Sequence, residues 1–382
     1  MKRVVILGST GSIGRQALEV AAAFPDHLRV VGLAAAASDL FAEQLTRWRP
    51  DVAALVDPEA SRRAALASGR AVLAGPEGVT AVAVWPEADL VLNAIVGFAG
   101  LAPTLAAIEA GKDVALANKE PIVAAGGLIL AAAGRRGVRV FPVDSEPSAI
   151  FQLLGDRPAA DVRRVILTAS GGPFYGRPAD ELAGVTAAEA LHHPTWRMGP
   201  KITVDSATLM NKGFEVIEAS WFFDLPVDRI EVLIHRHSLV HALVELTDGV
   251  ILAHLGPPDM RYPIQYALTY PTRRPAPWPG LDLADAPPLE FRRPDSSGFG
   301  CLRLAYQAGR IGKSLPAVLS AADEVFVADF LGGRIGFGDI PRLLGDVAAG
   351  HEPFRIATME DAVRADALGR QAAREATRTL AR

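Results

Sequence analysis

Several features that mark other classes of protein are scarce in this chain of 382 residues. It has one cysteine, Cys301, so no disulfide can form within the chain and a reducing compartment, the cytoplasm, is expected. Its 39 lysines and arginines face 43 aspartates and glutamates, which is not the basic excess that nucleic-acid binding needs. No apolar run is long enough to span a bilayer, and the N-terminus lacks the pattern of a signal peptide. We therefore expect a cytoplasmic protein that binds neither nucleic acid nor membrane.

A glycine-rich turn follows the first predicted strand. Residues 4–7 form a continuous apolar run, as in a buried parallel strand, and Gly8, Gly11 and Gly14 come before an apolar helical stretch. Such glycines let the backbone approach a pyrophosphate, and the helix N-terminus offers N–H groups to it. The spacing is G-x-x-G-x-x-G rather than the more specific G-x-G-x-x-G, so a tight turn without a ligand stays an alternative.

The second predicted strand, residues 29–34, bears on the choice of nucleotide. A site specific for NAD usually has an acidic residue at this strand end, which binds the ribose 2′-hydroxyl. Here the strand runs into Ala36, Ala37 and Ser38, and Asp39 lies just beyond. The pattern favours NADP over NAD.

Polar clusters follow two later strands, at residues 118–120 and 144–146. Ligands of open parallel sheets bind outside the carboxyl ends of the strands. Asp144 and Glu146 flank Ser145, so both carboxylates point the same way if the backbone stays extended. Paired acids repel unless a cation or a shared proton offsets them, and oxygen ligands suit Mg²⁺ or Mn²⁺. The alternative is a polar strand end that caps a helix.

Residues 201–218 concentrate further polar groups. Ser206, Asn211 and Lys212 can all donate to an oxyanion. Glu215 lies four residues beyond Asn211 and three beyond Lys212, so on a helix these side chains share a face. Phosphate donors beside a carboxylate suggest a phosphorylated substrate near a metal. The alternative is an amphipathic helix with a solvated polar face.

Two loops complete the candidate site. Ser170 opens a Ser-Gly-Gly turn that can present backbone N–H groups to an anion, although it can equally be only a turn. Residues 192–200 contain two prolines, a glycine, Trp196 and Met198 with no helical or strand period. This composition predicts a loop and a candidate lid. A loop that plugs the core with its large side chains is the alternative.

His235, His237 and His241 form a separate group. Alternate residues of a strand share a face, so the first two could bind zinc, but no cysteine or clear fourth ligand accompanies them. Packing within a strand or an interface is the preferred interpretation.

These patterns predict an α/β fold: an N-terminal Rossmann-like doubly wound sheet, an α+β catalytic domain and a C-terminal helical domain. The predicted parts are a nucleotide-binding domain at 1–146, a catalytic domain at 147–270, a proline-rich linker at 271–295 and a helical domain at 296–382.

Taken together, the motifs resemble the 1-deoxy-D-xylulose 5-phosphate reductoisomerase family, in the family's order and in a chain of similar length. The matching stretches are residues 8–14, 118–120, 144–146, 170–174, 193–199, 204–215 and 255–263.

The resemblance implies a homodimeric enzyme of the non-mevalonate isoprenoid pathway, in which the domain at 147–270 also forms the dimer. It would use NADPH and a divalent metal (Mg²⁺, Mn²⁺ or Co²⁺) to convert 1-deoxy-D-xylulose 5-phosphate to 2-C-methyl-D-erythritol 4-phosphate. The implied metal ligands are Asp144, Glu146 and Glu215. The implied substrate-binding residues are Lys119, Ser145, Glu146, Ser170, His193, Ser206, Asn211, Lys212 and Glu215, of which Ser170, His193, Ser206, Asn211 and Lys212 surround the phosphate. The implied nucleotide contacts are Thr10, Gly11, Ser12, Ile13, Ala36, Ala37, Ser38, Asn118, Glu120 and Gly199. The implied catalytic group is Lys119, Glu146, His193, Trp196 and Met198, with the last two on a closing flap.

The chain departs from the family's usual pattern at two points. Many members have Gly-Lys-Asn where this chain has residues 36–38, so a lysine that could bind the 2′-phosphate is missing and the preference for NADPH should be smaller. The residue after Asp-Ser-Glu is often histidine, and here it is Pro147. Proline suits the first turn of a helix, so the metal site is expected to persist.

Two other function classes compete with this interpretation. One is another NADP-dependent oxidoreductase, such as a semialdehyde dehydrogenase, which needs a nucleophilic cysteine in its catalytic domain. Cys301 lies beyond the predicted linker and fits that role poorly. The other is a nucleotide sensor without catalysis, which would need neither three acids nor a cluster of phosphate donors.

Overall fold

The structure is a computed structural model that describes residues 1–182, 184–295 and 300–380. The chain divides into two compact units. The first comprises Met1–Pro121, Leu128–Ser148 and Asp259–Pro279. The second comprises Ile122–Gly127, Ala149–Pro258 and the chain from Gly280 onward.

The first unit is built on a parallel sheet of seven strands in the order β4-β3-β2-β1-β5-β6-β7. Its strands are β1 (Lys2–Leu7), β2 (Leu28–Ala35), β3 (Val52–Leu55), β4 (Leu73–Ala74), β5 (Leu90–Asn93), β6 (Asp113–Leu116) and β7 (Val140–Pro142). Strand β1 pairs with β2 on one side and with β5 on the other, so the strand order reverses beside β1. This reversal is the topological switch point at which doubly wound sheets bind their ligands.

The second unit contains a sheet of four strands in the order β11-β10-β8-β9. These strands are β8 (Val162–Ala169), β9 (Ile230–Ile234), β10 (Val240–Leu246) and β11 (Ile251–Leu255). Strand β8 runs parallel to β9 and antiparallel to β10. Val165 and Leu167 of β8, two residues apart, are both fully buried in one core cluster with Val216. Each such side chain contributes about 1.5–3 kcal/mol through burial.

Fifteen α-helices are formed by the described residues. They are α1 (Ser12–Ala23), α2 (Leu40–Trp48), α3 (Pro58–Ser68), α4 (Gly75–Ala83), α5 (Leu101–Glu109), α6 (Glu120–Arg136), α7 (Ser145–Leu154), α8 (Ala187–Ala190), α9 (Pro200–Thr208), α10 (Met210–Phe223), α11 (Arg261–Thr269), α12 (Gly300–Ile311), α13 (Leu315–Leu331), α14 (Asp339–Gly350) and α15 (Met359–Leu380). Among the helices of the described residues, none is both long enough and apolar enough to cross a membrane.

The fold class predicted from the sequence is confirmed: a Rossmann-like sheet, a second sheet and a helical C-terminal part are all present. The predicted domain boundaries at residues 146, 270 and 295 stay predictions. The predicted start of the helical domain at residue 296 lies outside the described residues, as does the end of the chain beyond residue 380.

Candidate active site

The glycine-rich turn joins β1 to α1 at the switch point. Gly8 has a φ of +79°, and a Cβ built there would lie 2.5 Å from the carbonyl oxygen of Ala94. A Cβ at Gly14 would lie 2.2 Å from the carbonyl oxygen of Gly8. Only glycine fits such close approaches of backbone to backbone. Gly11 is the N-cap of α1 and has no side chain that could accept a hydrogen bond from the helix. No capping side chain therefore competes with a ligand for the first N–H groups of α1.

Gln44, which the sequence patterns did not single out, holds this turn in place through two hydrogen bonds. Gln44 of α2 accepts a hydrogen bond from the Ser9 hydroxyl at 2.7 Å, and its amide nitrogen donates to the Ser9 carbonyl oxygen at 2.9 Å. The two bonds link the turn to α2. A polar residue beside the buried Phe41 and Leu45 was the available signal.

The end of β2 has the character that the sequence indicated. Ala36 and Ala37 are exposed, and Ser38 is half-buried. Asp39 occupies the N-cap position of α2, where its side chain makes no capping bond. The end of β2 therefore carries small neutral side chains.

Lys119 and Asp144 meet at the carboxyl ends of two paired strands. Strand β6 pairs with β7, Lys119 follows the first and Asp144 follows the second. The Lys119 ammonium lies 2.7 Å from an Asp144 carboxylate oxygen, and Lys119 is buried while Asp144 is half-buried. The lysine thus offsets part of the negative charge at this strand end.

The backbone around Ser145 follows the second of the two interpretations that the sequence left open. It is not extended across residues 144–146, because Ser145 is already the first residue of α7. The Asp144 carbonyl accepts the Ser148 N–H at 2.9 Å, and the Asp144 side chain accepts the Ser145 N–H at 3.0 Å. The Ser145 hydroxyl donates to Glu146 at 2.5 Å. Asp144 therefore caps the helix while it also presents its carboxylate at the strand end.

Three of the predicted residues form a group with the character of a metal site. Asp144, Glu146 and Glu215 each offer one carboxylate oxygen, and these oxygens lie within 4.8 Å of one another. Glu215 is buried and the other two are half-buried. Carboxylate oxygens are the ligands that Mg²⁺ and Mn²⁺ prefer, so this donor set fits such an ion.

Glu215 is held by its own helix. Leu209, with a φ of 59°, separates α9 from α10. Within α10 the Asn211 amide donates to one Glu215 oxygen at 2.7 Å, and the Lys212 ammonium donates to the other at 2.5 Å. The predicted common face of these three residues is confirmed. These bonds satisfy both carboxylate oxygens of a buried side chain.

Two of the predicted phosphate donors, Ser170 and Ser206, lie next to His193. Its Nε2 lies 2.9 Å from the Ser170 hydroxyl and 3.1 Å from the Ser206 hydroxyl. Its Nδ1 accepts the backbone N–H groups of Thr195 at 3.1 Å and Trp196 at 2.9 Å. An Nδ1 that accepts two hydrogen bonds carries no proton, so the neutral ring has its proton on Nε2. His193 therefore faces the two serines as a neutral donor.

The charge state of His193 follows from its surroundings. Burial, together with the nearby positive charge of Arg236, lowers the pKa of His193 from 6.5 to about 4. Because the unfolded chain then binds this proton more tightly than the folded protein, the contribution of His193 to stability is present above pH 6.5. It is lost as the pH falls toward 4.

We expect NMR titration of labelled imidazole to show a neutral His193 ring at pH 6, with Nε2 protonated. The His193→Gln variant would assign the signal by its disappearance. A ring that is half-protonated near pH 6.5 would contradict this account of the pocket.

The predicted loop is observed between α8 and α9, and Trp196 and Met198 are half-buried in it. The Trp196 ring lies 6.4 Å from that of His241. The Thr195 hydroxyl donates to the Arg236 carbonyl oxygen at 3.3 Å. The two large side chains are thus not sealed inside a core, which fits the lid interpretation better than the plug.

Trp196→Ala is expected to raise the KM for the substrate and to lower kcat, because the ring offers a large amphipathic surface to a bound ligand. The melting temperature should change little, since the ring is only half-buried. Steady-state kinetics and thermal unfolding of the same preparation test this. A large loss of melting temperature with unchanged KM would make Trp196 a core residue instead.

The remaining predicted residues take simpler positions. Gly199 is exposed at the N-cap of α9, and its carbonyl accepts the Thr203 hydroxyl at 2.8 Å. His235 is buried, stacks on Phe291 and bonds through Nδ1 to the Glu290 carbonyl at 2.9 Å. Packing of the histidines within the sheet stays the preferred interpretation.

Comparison of sequences assigns the chain to a family. A model of the family described as 1-deoxy-D-xylulose 5-phosphate reductoisomerase matches residues 4–126. Models of C-terminal domains of the same enzyme match residues 140–223 and 255–372. The protein of that name from Heliobacterium modesticaldum is 53% identical over 384 residues, covering 98% of this chain and 97% of the relative. That from a Cyanothece species is 49% identical and covers 97% of this chain and 98% of the relative.

Comparison with solved structures leads to the same family. The reductoisomerase from Zymomonas mobilis, solved with NADPH, has a TM-score of 0.91 and 40% identity, and the match covers 98% of this chain and 99% of that one. A reductoisomerase solved with NADPH, fosmidomycin and magnesium has a TM-score of 0.92 and 35% identity, with 100% and 99% covered. The chain belongs to the 1-deoxy-D-xylulose 5-phosphate reductoisomerase family.

Proposed function

We propose that this chain is an NADPH- and metal-dependent oxidoreductase that converts 1-deoxy-D-xylulose 5-phosphate to 2-C-methyl-D-erythritol 4-phosphate. The observation that carries the proposal is the group of three carboxylates, in a chain that also has a glycine turn at a switch point. The relatives that match over the full length carry the same enzyme name, and two solved neighbours hold NADPH.

Asp144, Glu146 and Glu215 would hold the divalent metal. When bound, the metal supplies Lewis-acid polarisation of the substrate's ketone and neighbouring hydroxyl oxygens. The Asn211 and Lys212 side chains hold both oxygens of Glu215, which fixes the direction of its lone pairs. Lys119 does the same for Asp144. Such preorganisation reduces the reorganisation that metal and substrate binding require.

The phosphate would bind to Ser170, His193, Ser206, Asn211 and Lys212. A neutral His193 that donates through Nε2 suits this task, because it can move its hydrogen bond from a serine to a phosphate oxygen without a proton transfer. The two hydroxyls beside it can rotate to donate as well. Phosphate binding at a distance from the reacting carbons would supply free energy to close the loop around Trp196 and to exclude water.

The nucleotide would lie on the turn of Thr10, Gly11, Ser12 and Ile13, with its pyrophosphate at the N-terminus of α1. Further contacts are proposed for Asn118, Glu120 and Gly199. The 2′-phosphate would lie near Ala36, Ala37 and Ser38, where no carboxylate repels it and no lysine attracts it.

Ala37→Lys is expected to increase the ratio of kcat/KM for NADPH over that for NADH several-fold, because a cation beside the 2′-phosphate stabilises only NADPH. The unchanged protein should already prefer NADPH. Ala37→Gln, which has a long but neutral side chain, is the control and should leave the ratio nearly unchanged. Equal efficiency of the two nucleotides in the unchanged protein would contradict the interpretation of the β2 end.

We also propose a cytoplasmic homodimer. Strand β11 supports the dimer, because it is an edge strand with exposed Ile251 and Leu255, and such edges pair readily with another chain. Light scattering coupled to size exclusion would test the dimer, and a monomeric mass would refute it.

The rival semialdehyde dehydrogenase needs a reactive thiol. Burial raises the pKa of the Cys301 thiol well above its usual value, and negative charge at Asp323 adds to the rise. A thiol in that state is a poor nucleophile. The Cys301→Ala variant should therefore keep its NADPH-dependent activity. A dehydrogenase that depends on a thiol nucleophile would lose its activity with the same substitution.

The proposed function is tested by NADPH oxidation on addition of 1-deoxy-D-xylulose 5-phosphate. Oxidation should need Mg²⁺ or Mn²⁺ and should stop with excess EDTA. Absence of substrate-dependent oxidation in the presence of metal would refute the proposal.

A further inference from the structure

A cluster of ionised side chains includes Asp205, which directly precedes Ser206 of the proposed phosphate site. The Lys201 ammonium lies 2.6 Å from a carboxylate oxygen of Asp205 and 3.0 Å from one of Asp323. Asp205 is 2% exposed and Asp323 is fully buried. Lys201 and Asp205 belong to α9, whereas Asp323 belongs to α13, so the cluster ties the two helices together.

The position of Lys201 is unfavourable for α9 taken alone. Lys201 is the second residue of the helix, where the positive end of the helix dipole disfavours a cation. Burying two carboxylates with a partly exposed ammonium also costs free energy that burying apolar side chains of similar size would not. The ammonium lies 5.2 Å from the centre of the Phe214 ring, so it also contacts α10. Such a local conflict is common where function constrains the structure.

Helix α9 carries a central part of the phosphate site. Ser206 directly follows Asp205, and its hydroxyl lies 3.1 Å from His193 Nε2. The backbone of Ser206 also packs against the Ser-Gly-Gly turn, because a Cβ at Gly172 would lie 2.7 Å from the Ser206 carbonyl oxygen. A small shift of α9 therefore changes the distance between the Ser206 hydroxyl and the ring of His193.

We propose that Asp323 is a positioning residue for the phosphate site, which acts through Lys201 and Asp205 to hold α9 and thereby the Ser206 hydroxyl in register with His193. This inference rests on the proposed function and deepens it. Asp323 contacts neither substrate nor nucleotide in this account. It connects the C-terminal helices to the geometry of phosphate binding.

The isosteric substitution Asp323→Asn removes the charge that attracts Lys201 across the helix interface. The KM for the substrate and the inhibition constant of inorganic phosphate should both rise, on the order of tenfold, while the KM for NADPH stays the same. Lys201→Gln should act in the same direction. Because Lys201 is partly exposed, this second variant keeps the test open if Asp323→Asn does not fold.

Asp329→Asn is the matched control. Asp329 is a buried acid of the same helix, but it accepts bonds from Arg334 at 2.7 Å and Thr377 at 2.6 Å instead of from α9. This variant should lower the melting temperature and leave the inhibition constant of phosphate unchanged. A role of Asp323 in stability alone would make the two variants behave alike.

A double-mutant cycle with Ser206→Ala shows whether the effect passes through Ser206. If it does, Asp323→Asn should weaken phosphate inhibition in the unchanged protein and add almost nothing in the Ser206→Ala background. Fully additive effects, or an unchanged inhibition constant in both Asp323→Asn and Lys201→Gln, would overturn the inference. If phosphate inhibits the Ser206→Ala variant as strongly as the unchanged protein, the proposed phosphate site itself is overturned.

Discussion

Replacing Glu215 with glutamine is expected to lower kcat/KM by about a thousandfold or more, because a proposed metal ligand loses its charge in a buried site. Glu215 is 1% exposed, and the Asn211 and Lys212 side chains hold its two oxygens. The neutral amide keeps the size of the side chain but binds a divalent cation poorly. Binding of Mn²⁺, followed by calorimetry or paramagnetic resonance, should weaken along with the activity.

Glu245→Gln is the control for this substitution. Glu245 is also a buried glutamate of the second unit, where it pairs with Arg163 and Arg164 on the four-stranded sheet. Its loss should lower stability and leave Mn²⁺ binding unchanged. Asp144→Asn and Glu146→Gln should behave like Glu215→Gln and should keep NADPH binding. Full activity of Glu215→Gln would refute the metal assignment.

Gly14→Ala is expected to weaken NADPH binding by about a hundredfold or more, because the turn that would hold the pyrophosphate has no room for a methyl group. The added Cβ would lie 2.2 Å from the Gly8 carbonyl oxygen and 2.5 Å from the Ser9 Cα. Both are backbone atoms, so no side chain can rotate to relieve the clash and the turn must open. Fluorescence titration with NADPH measures the loss of affinity.

Gly134→Ala is the matched control. This glycine lies within α6 and an added Cβ would have no neighbour within 4 Å. The substitution should keep NADPH affinity and gain about 0.4–1 kcal/mol of stability, because alanine loses less entropy on folding. Normal NADPH affinity of the Gly14→Ala variant would show that the turn does not hold the nucleotide.

The first unit could be predicted from the sequence because its signals are local. A continuous apolar run marks β1, and the glycines after it mark a turn that only they can form. At Ser145 the sequence left an extended backbone and a capped helix open, although it held the signal that decides between them. Asp144 has the chemistry of an N-cap, and Pro147 suits the first turn of a helix, so the strand had to end before Ser145.

The candidate site was harder to predict from the sequence, because most of its contacts join residues far apart in the chain. The resemblance to a family supplied the group of Asp144, Glu146 and Glu215, which no local period could have assembled. Gln44 and Asp323 were missed for the same reason. Each supports a functional segment from another helix, and only the folded chain shows which polar side chain faces which turn.

The central claim is that the chain rearranges the carbon skeleton of its substrate as well as reducing it. The most direct test is ¹³C NMR of the product formed from labelled 1-deoxy-D-xylulose 5-phosphate with NADPH and Mg²⁺. We expect the branched skeleton of 2-C-methyl-D-erythritol 4-phosphate, formed in equal amount to the NADPH consumed. A reduced product with the straight chain of the substrate, or a product formed equally well without metal, would contradict it.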